Sequence, residues 1–132
     1  MRYTPDDIVP GSLGKNEIFV FGSNEAGIHG AGAAKAAVEY FGAKMYKGHG
    51  MQGKSYALPT KDKRLYPLHI DRVKRHVQVF IAHAKRSPDK TYLVTKIGCG
   101  YAGFTPEQIA PLFKDAPDNV ILPETFHNIL NN

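Results

Sequence analysis

The sequence predicts an α/β domain in which a mostly parallel or mixed central sheet lies between layers of helices. Apolar runs typical of buried strands alternate with segments of helical periodicity along the 132 residues. Two glycine-rich loops, residues 27–32 and 98–103, each follow a predicted strand and precede a predicted helix. There is no internal repeat and no linker, so we expect residues 1–132 to form one domain.

The first half of the chain predicts two strands and one helix. Residues 17–22 (EIFVFG) are apolar, with β-branched and aromatic side chains, as in a buried strand. The alanine-rich residues 33–41 predict a helix that ends near Gly42. Residues 47–54 predict a loop, and residues 55–59 (SYALP) predict the second strand.

The second half predicts two helices, two strands and a tail. Residues 67–86 predict a helix whose buried stripe comprises Ile70, Val73, Val77, Phe80, Ile81 and Ala84. Residues 91–95 predict the third strand. Thr105, Pro106 and Gln108 supply an N-cap, a first-turn proline and a capping-box partner for a helix that runs to about Lys114. Residues 120–122 predict the last strand, and a tail with helix as one alternative follows from Pro123.

Composition limits the classes of function. No apolar stretch reaches the ~18 residues of a membrane span, and the first residues lack the apolar segment of a secretory signal. A single cysteine cannot form an internal disulfide, which fits a reducing cytosol and predicts a cytoplasmic protein. The net charge of +5 favours an anionic partner, which could be a small phosphate, a nucleic acid or solvent counterions.

The two glycine-rich loops predict a phosphate site. Glycine lets backbone amides approach a ligand closely, and amides at a strand-to-helix junction point towards the positive end of the helix dipole. Loops that follow parallel strands open on the same edge of a sheet, so two of them suit a diphosphate. The spacing of Gly98, Gly100 and Gly103 matches a dinucleotide fingerprint, but only one short strand and a tail follow it. Neither loop has the Gly-Lys-Ser/Thr ending of a P-loop.

Several polar residues have two interpretations. His69, His76 and His83 are spaced by seven, so their Cα atoms lie ~10.5 Å apart along a helix, and we expect no metal site there. Cys99 is either a packing residue or a nucleophile whose pKa the nearby helix start lowers. Asn24 and His29 are either turn residues or ligand contacts. The basic middle third of the chain is either a solvated helix face or a nucleic-acid surface.

Two segments together, IFVFGSN with GIHGAGAA and then YLVTKIGCGYAGF, resemble the macrodomain family of ADP-ribose-binding modules. The likeness runs from about residue 17 to residue 122 and implies a three-layer α/β/α fold, in a compact member of a group found in bacteria and their phages. It implies that the second loop wraps the diphosphate and that the first lies along the diphosphate and the distal ribose. The ligand-binding residues that it implies are Asn24, Gly27, His29, Gly30, Ala31, Gly32, Ala33, Gly98, Cys99, Gly100, Tyr101, Ala102, Gly103 and Phe104.

SYALPTKD and KIGCGYAG also resemble the macrodomain branch that removes ADP-ribose from acidic side chains or nucleic-acid bases. That branch uses a lysine, which corresponds to Lys61, and an aspartate, whose position is occupied here by Ala102. A lysine amine can attack the ribose carbon, and Asp62 could replace the missing carboxylate only if its side chain turns into the site. The resemblance therefore leaves two alternatives, ADP-ribose binding alone or hydrolysis with Lys61.

Adenine recognition departs from the family pattern. The Gly-Asp-Ile segment whose aspartate holds the adenine amine has no clear match in GSLGKNEIF. Phe126 is either a ring that stacks on adenine or a core residue of the tail. We expect ADP-ribose, or an ADP-ribosylated macromolecule, as the partner. Nucleic acid is a less favoured partner, and we expect no membrane partner, resident cofactor or metal.

Overall fold

A computed structural model describes all residues, 1–132, and contains one five-stranded sheet. The strands are β1 (Glu17–Asn24), β2 (Gly50–Gln52), β3 (Ser55–Lys61), β4 (Thr91–Val94) and β5 (Val120–Ile121), arranged in the order β2-β3-β1-β4-β5. β1 pairs in parallel with β3 and β4, and β4 pairs in parallel with β5. Only β2 is antiparallel, so the prediction of an α/β domain with a mixed sheet is confirmed.

Four α-helices connect and follow the strands: α1 (Gly32–Tyr40), α2 (Ile70–Arg86), α3 (Pro106–Ile109) and α4 (Glu124–Leu130). The predicted capping box is present, because Thr105 Oγ1 accepts from the Gln108 amide and Gln108 Oε1 accepts from the Thr105 amide. The prediction of one helix to Lys114 was wrong, since a 3-10 turn replaces α-helix over Ala110–Phe113. Pro111 has no amide hydrogen to continue the α-helical hydrogen bonds.

Helices cover both faces of the sheet. Alternate side chains of β1 point to opposite faces: Phe19 and Phe21 pack with α1 around Ala37, whereas Ile18 and Val20 belong to the larger core. That larger core also contains side chains of α2, α3, the 3-10 turn and α4. The buried stripe of α2 holds five of the six predicted residues, and Ile70 at its first turn is partly buried.

The loop predicted over residues 47–54 is partly a strand. β2 pairs with β3 through a two-residue turn at Gly53 and Lys54, where Gly53 has φ +62°. β1 and β3 each run two residues beyond their predicted ends, and the tail after Pro123 is the helix α4. No helix has the length and apolar composition needed to cross a membrane.

Candidate functional site

A cavity of about 230 Å³ lies where the parallel strands end. Its walls come from the end of β1, the start of α1, the end of β3 and the loop after β4. We name it the glycine-loop cavity, and its lining residues are Gly22, Ser23, Asn24, Gly32, Ala33, Ala34, Thr60, Lys61, Thr95, Lys96, Ile97, Gly98, Gly100, Tyr101 and Ala102. Both predicted loops therefore contribute to one cavity at one edge of the sheet.

The structure brings eight predicted site residues together in this cavity: Asn24, Gly32, Ala33, Lys61, Gly98, Gly100, Tyr101 and Ala102. The lining residues that sequence reasoning missed lie mainly at the ends of strands, among them Gly22, Thr60 and Thr95. The sequence could have indicated these residues, because they come just before the glycine-rich or lysine-bearing turns and ligands of parallel sheets bind at the carboxyl ends of the strands.

The loop after β4 presents free amide donors. The backbone N–H groups of Gly98, Gly100, Tyr101 and Ala102 donate to no acceptor within the protein. The loop is closed instead by the amide of Phe104, which donates to the Gly98 carbonyl at 2.8 Å. Four unpaired amides within five residues therefore belong to one cavity wall, and such a group of donors suits anionic oxygens.

The start of α1 forms the opposite wall. The amides of Ala33 and Ala34 have no acceptor in the protein, as is usual for the first turn of a helix. No side chain caps the helix at Ala31, and no acidic residue lies in its first turn. The positive end of the α1 dipole therefore faces the cavity without a compensating carboxylate.

Glycine is required at two positions of the lining. Gly98 has φ +74°, and a Cβ atom there would lie 3.2 Å from Ile109 Cδ1 and 3.3 Å from Phe104 Cδ2. Gly32 has φ +60°, and a Cβ atom there would lie 3.2 Å from Tyr101 Cε2. Both residues have left-handed backbone conformations that disfavour a side chain, and at Gly98 the side chain would also meet the buried Ile109.

Tyr101 connects the two walls of the cavity at its mouth. Its ring lies over Gly32 on one side, and Lys61 Nζ lies 5.4 Å from the ring centroid. Tyr101 is 75% exposed, so neither contact buries it. The Lys61 ammonium is thus held near the cavity mouth by a cation–π contact.

No carboxylate lines the glycine-loop cavity. Asp62 does not supply one, because its Oδ1 accepts from the amides of Arg64 (2.8 Å) and Tyr66 (3.0 Å) and so closes the turn after β3. Ala102 lines the cavity and has only a methyl side chain, so it supplies no carboxylate either. Asp62 does not line the cavity, so the condition under which it could replace the carboxylate is not met.

Asn24 and the first part of the 27–32 loop make contacts within the protein. Asn24 binds Ile28 with both side-chain groups, its Nδ2 donating to the carbonyl at 2.8 Å and its Oδ1 accepting from the amide at 2.9 Å. His29 is buried against Phe21, and its Nε2 lies 3.0 Å from the Lys47 carbonyl. Neither His29 nor the predicted contacts Gly27, Gly30 and Ala31 line the cavity.

The remaining predicted residues lie outside the cavity lining: Cys99, Gly103, Phe104 and Phe126. Cys99 Sγ lies 3.5 Å from the Ile97 carbonyl, and burial raises the pKa of its thiol, opposite to the lowering that a nucleophile would need. Phe126 is fully buried beside Phe113, with ring centroids 6.1 Å apart. Of its two interpretations, core packing agrees with the structure and stacking on a ligand does not.

A second cavity, of about 490 Å³, adjoins the first and shares Gly32, Ala33, Thr95 and Lys96 with it. Its far wall is the N-terminal segment, which includes Asp6, Asp7 and Ile8. That segment is held in place by Thr4, whose amide donates to the Leu122 carbonyl at 2.9 Å. The sequence did not predict these residues as part of a site, although the chain carries an Asp-Ile pair there, Asp7 and Ile8.

No three His, Cys, Asp or Glu side chains lie together where they could hold a metal ion. Comparison of the chain with protein-family models gives no match, and neither a curated protein nor a solved structure matches it.

Proposed function

We propose that this protein binds ADP-ribose, or a closely related ADP-ribosyl or NAD-derived metabolite, with the diphosphate in the glycine-loop cavity. The observation that carries the proposal is the set of unpaired amides that line both walls of a cavity without a carboxylate. Amides from the loop after β4 and from the start of α1 would donate to the oxygens of the two phosphates. Lys61 and Lys96 add positive charge to the same lining.

The adjoining cavity supports a ligand with a base attached to the diphosphate. Phe19, Ile8 and Ala36 give it apolar surface, while Asp6 and Asp7 give it carboxylate acceptors. Adenine has an apolar ring face and an exocyclic amine donor, which match these two kinds of group. Lys96, 3.5 Å from Asp6 Oδ1, lies at the boundary between the two cavities.

Isothermal titration calorimetry with ADP-ribose, NAD and AMP tests the proposal. We expect ADP-ribose to bind more tightly than AMP, because AMP places only one phosphate among the free amides. Asp7→Asn should weaken ADP-ribose and AMP by a similar factor, since both carry the adenine. No heat of binding for any of the three ligands at millimolar concentration would refute the proposed function.

Hydrolysis of an ADP-ribosyl linkage is a second candidate, and the presence of Lys61 in the cavity lining favours it. Attack by the Lys61 amine on the ribose carbon requires a neutral nitrogen, and no carboxylate lines the cavity to accept its proton. Release of ADP-ribose from a modified protein or DNA, lost in both Lys61→Ala and Lys61→Arg, would support hydrolysis. Equal turnover by Lys61→Ala and the parent protein would exclude the lysine mechanism.

A further inference from the structure

We propose that a third cavity binds a backbone phosphate of a single-stranded nucleic acid. This basic cavity, of about 380 Å³, contains the permanent cations Lys47, Lys63 and Arg72, the imidazoles of His49 and His76, and one carboxylate, Glu25. It lies beside the glycine-loop cavity, because Asn24 and Lys61 line that cavity whereas Glu25 and Lys63 line this one. The proposal does not depend on ADP-ribose binding.

The single carboxylate of the basic cavity is already neutralised. Glu25 Oε2 accepts from Arg72 at 2.8 Å (Nη2) and 3.1 Å (Nε), and the Glu25 side chain is only 16% exposed. Neither Lys47 nor Lys63 takes part in any ion pair of the chain. Lys47 Nζ donates to the Met51 carbonyl at 2.7 Å, which leaves its charge uncompensated. The surface of the cavity therefore carries excess positive charge suited to an anion.

One wall of the basic cavity is fixed by close backbone packing. A Cβ atom on Gly48 would lie 2.5 Å from the Asn24 carbonyl oxygen, and one on Gly27 would lie 2.4 Å from the Tyr46 carbonyl carbon. Tyr46, two residues before Gly48, has φ +69°, an uncommon conformation for a residue with a large side chain. The ring of Tyr46, a residue that is 79% exposed, therefore lies at the edge of the basic cavity.

Exposed tyrosine rings favour a single strand over a free phosphate or a duplex. Tyr46 lines the basic cavity, Tyr66 lies in the turn that carries Lys63, and Tyr101 lies at the mouth of the neighbouring cavity. Cationic grooves flanked by aromatic rings bind single strands, because unpaired bases stack on the rings while phosphates meet the cations. A free phosphate has no base to stack, and the bases of a duplex are already stacked on one another.

Fluorescence anisotropy with a labelled thymidine oligomer of about 12 nucleotides tests the proposal. We expect salt-dependent binding, measured between about 50 and 200 mM sodium chloride. Lys63→Gln should weaken binding and reduce the slope of log K against log salt by about 0.7, the contribution of one phosphate contact in a single strand. Tyr46→Asn, which removes the ring but tolerates positive φ, should weaken binding about fivefold or more.

The matched control is Lys85→Gln. It removes the same charge from an exposed position of α2, thirteen residues after Arg72 and about 20 Å further along the helix. We expect its affinity and salt slope to equal those of the parent protein. Equal losses in Lys63→Gln and Lys85→Gln would show a general effect of charge and would overturn the site.

Two further measurements separate the remaining outcomes. Inorganic phosphate that binds at matched ionic strength, with no oligomer binding, would overturn the assignment to nucleic acid. Calorimetry with ADP-ribose on Lys63→Gln should give the affinity of the parent protein, because Lys63 does not line the glycine-loop cavity. Oligomer binding that depends on Lys63 supports this proposal even if ADP-ribose fails to bind, so the two proposals fail separately.

Discussion

Gly22→Ala should abolish much of the ligand affinity without damaging the fold. Gly22 lies in β1 and lines the glycine-loop cavity next to Gly98. A Cβ atom on Gly22 would lie 3.4 Å from the Gly98 amide nitrogen and 3.6 Å from Ile97 Cα, which are ordinary van der Waals distances. Because the Gly22 backbone is not in a left-handed conformation, alanine fits there without strain.

The magnitude follows from the amide that the methyl group would cover. A phosphate oxygen must approach the Gly98 nitrogen to ~2.9 Å, and we expect a methyl carbon 3.4 Å from the same nitrogen to compete with that oxygen for space. A hydrogen bond to a charged group contributes about 1.5–3 kcal/mol, so its loss weakens binding by a factor of about 10 to 150. The free energy of unfolding should change by less than ~1 kcal/mol, because alanine fits the native backbone at this position and restricts the unfolded chain more than glycine does.

Calorimetry with ADP-ribose measures the affinity, and urea unfolding of the same samples measures the free energy of unfolding. The matched control is Gly30→Ala, since Gly30 also lacks a left-handed φ, has no atom within 4 Å of an added Cβ, and does not line the cavity. We expect Gly30→Ala to bind like the parent protein. Parent-like affinity in Gly22→Ala, or equal weakening in both variants, would refute the assignment of the diphosphate to the Gly98 amide.

Three other predictions concern the core and the buried titratable groups. Phe126→Ala should lower the free energy of unfolding by about 3–5 kcal/mol and leave ADP-ribose affinity unchanged below the melting temperature; weaker binding with unchanged stability would return Phe126 to the ligand site. Burial, with a smaller contribution from neighbouring Tyr92, raises the pKa of Tyr56 to about 12. Stability should therefore fall from about pH 10, where the unfolded tyrosine ionises, to about pH 12, by up to ~1.4 kcal/mol per pH unit; urea midpoints that fall as steeply in Tyr56→Phe would contradict this. Because burial raises the pKa of Cys99, iodoacetamide should modify the folded protein at about pH 8 more slowly than the urea-unfolded chain, and equal rates would argue against that environment.

Local signals predicted the parts of the fold whose structure is decided within a few residues. The capping box at Thr105 needs only Gln108, three residues away, and both of its hydrogen bonds form. β2 gives a weaker signal, since Gly50–Gln52 becomes a strand only by pairing with Ser55–Ala57 across a two-residue turn. The end of α3 shows the same limit, because the capping signal fixes where a helix begins, whereas Pro111 decides how it continues.

The candidate site could be predicted to a similar extent. The pattern of strand, glycine and helix placed Gly98 and Gly32 on one edge of the sheet, because that placement follows from parallel pairing alone. The pattern could not show that the Asn24 side chain bonds the backbone of Ile28, because an asparagine is equally suited to a turn and to a ligand contact. Nor could it place Asp7 beside the glycine loops, since that depends on contacts between chain segments more than 100 residues apart.

The charges of the glycine-loop cavity favour binding over proton transfer. Its lining contains no carboxylate and no imidazole, whereas the loop amides, the helix amides, Lys61 and Lys96 supply donors and positive charge that stabilise an anion. General base catalysis needs an acceptor within hydrogen-bond reach of the group that loses its proton. Asp62 Oδ1 is instead committed to the amides of the next turn, and Ala102 offers none. A diphosphate would thus supply the negative charge that this cavity lacks.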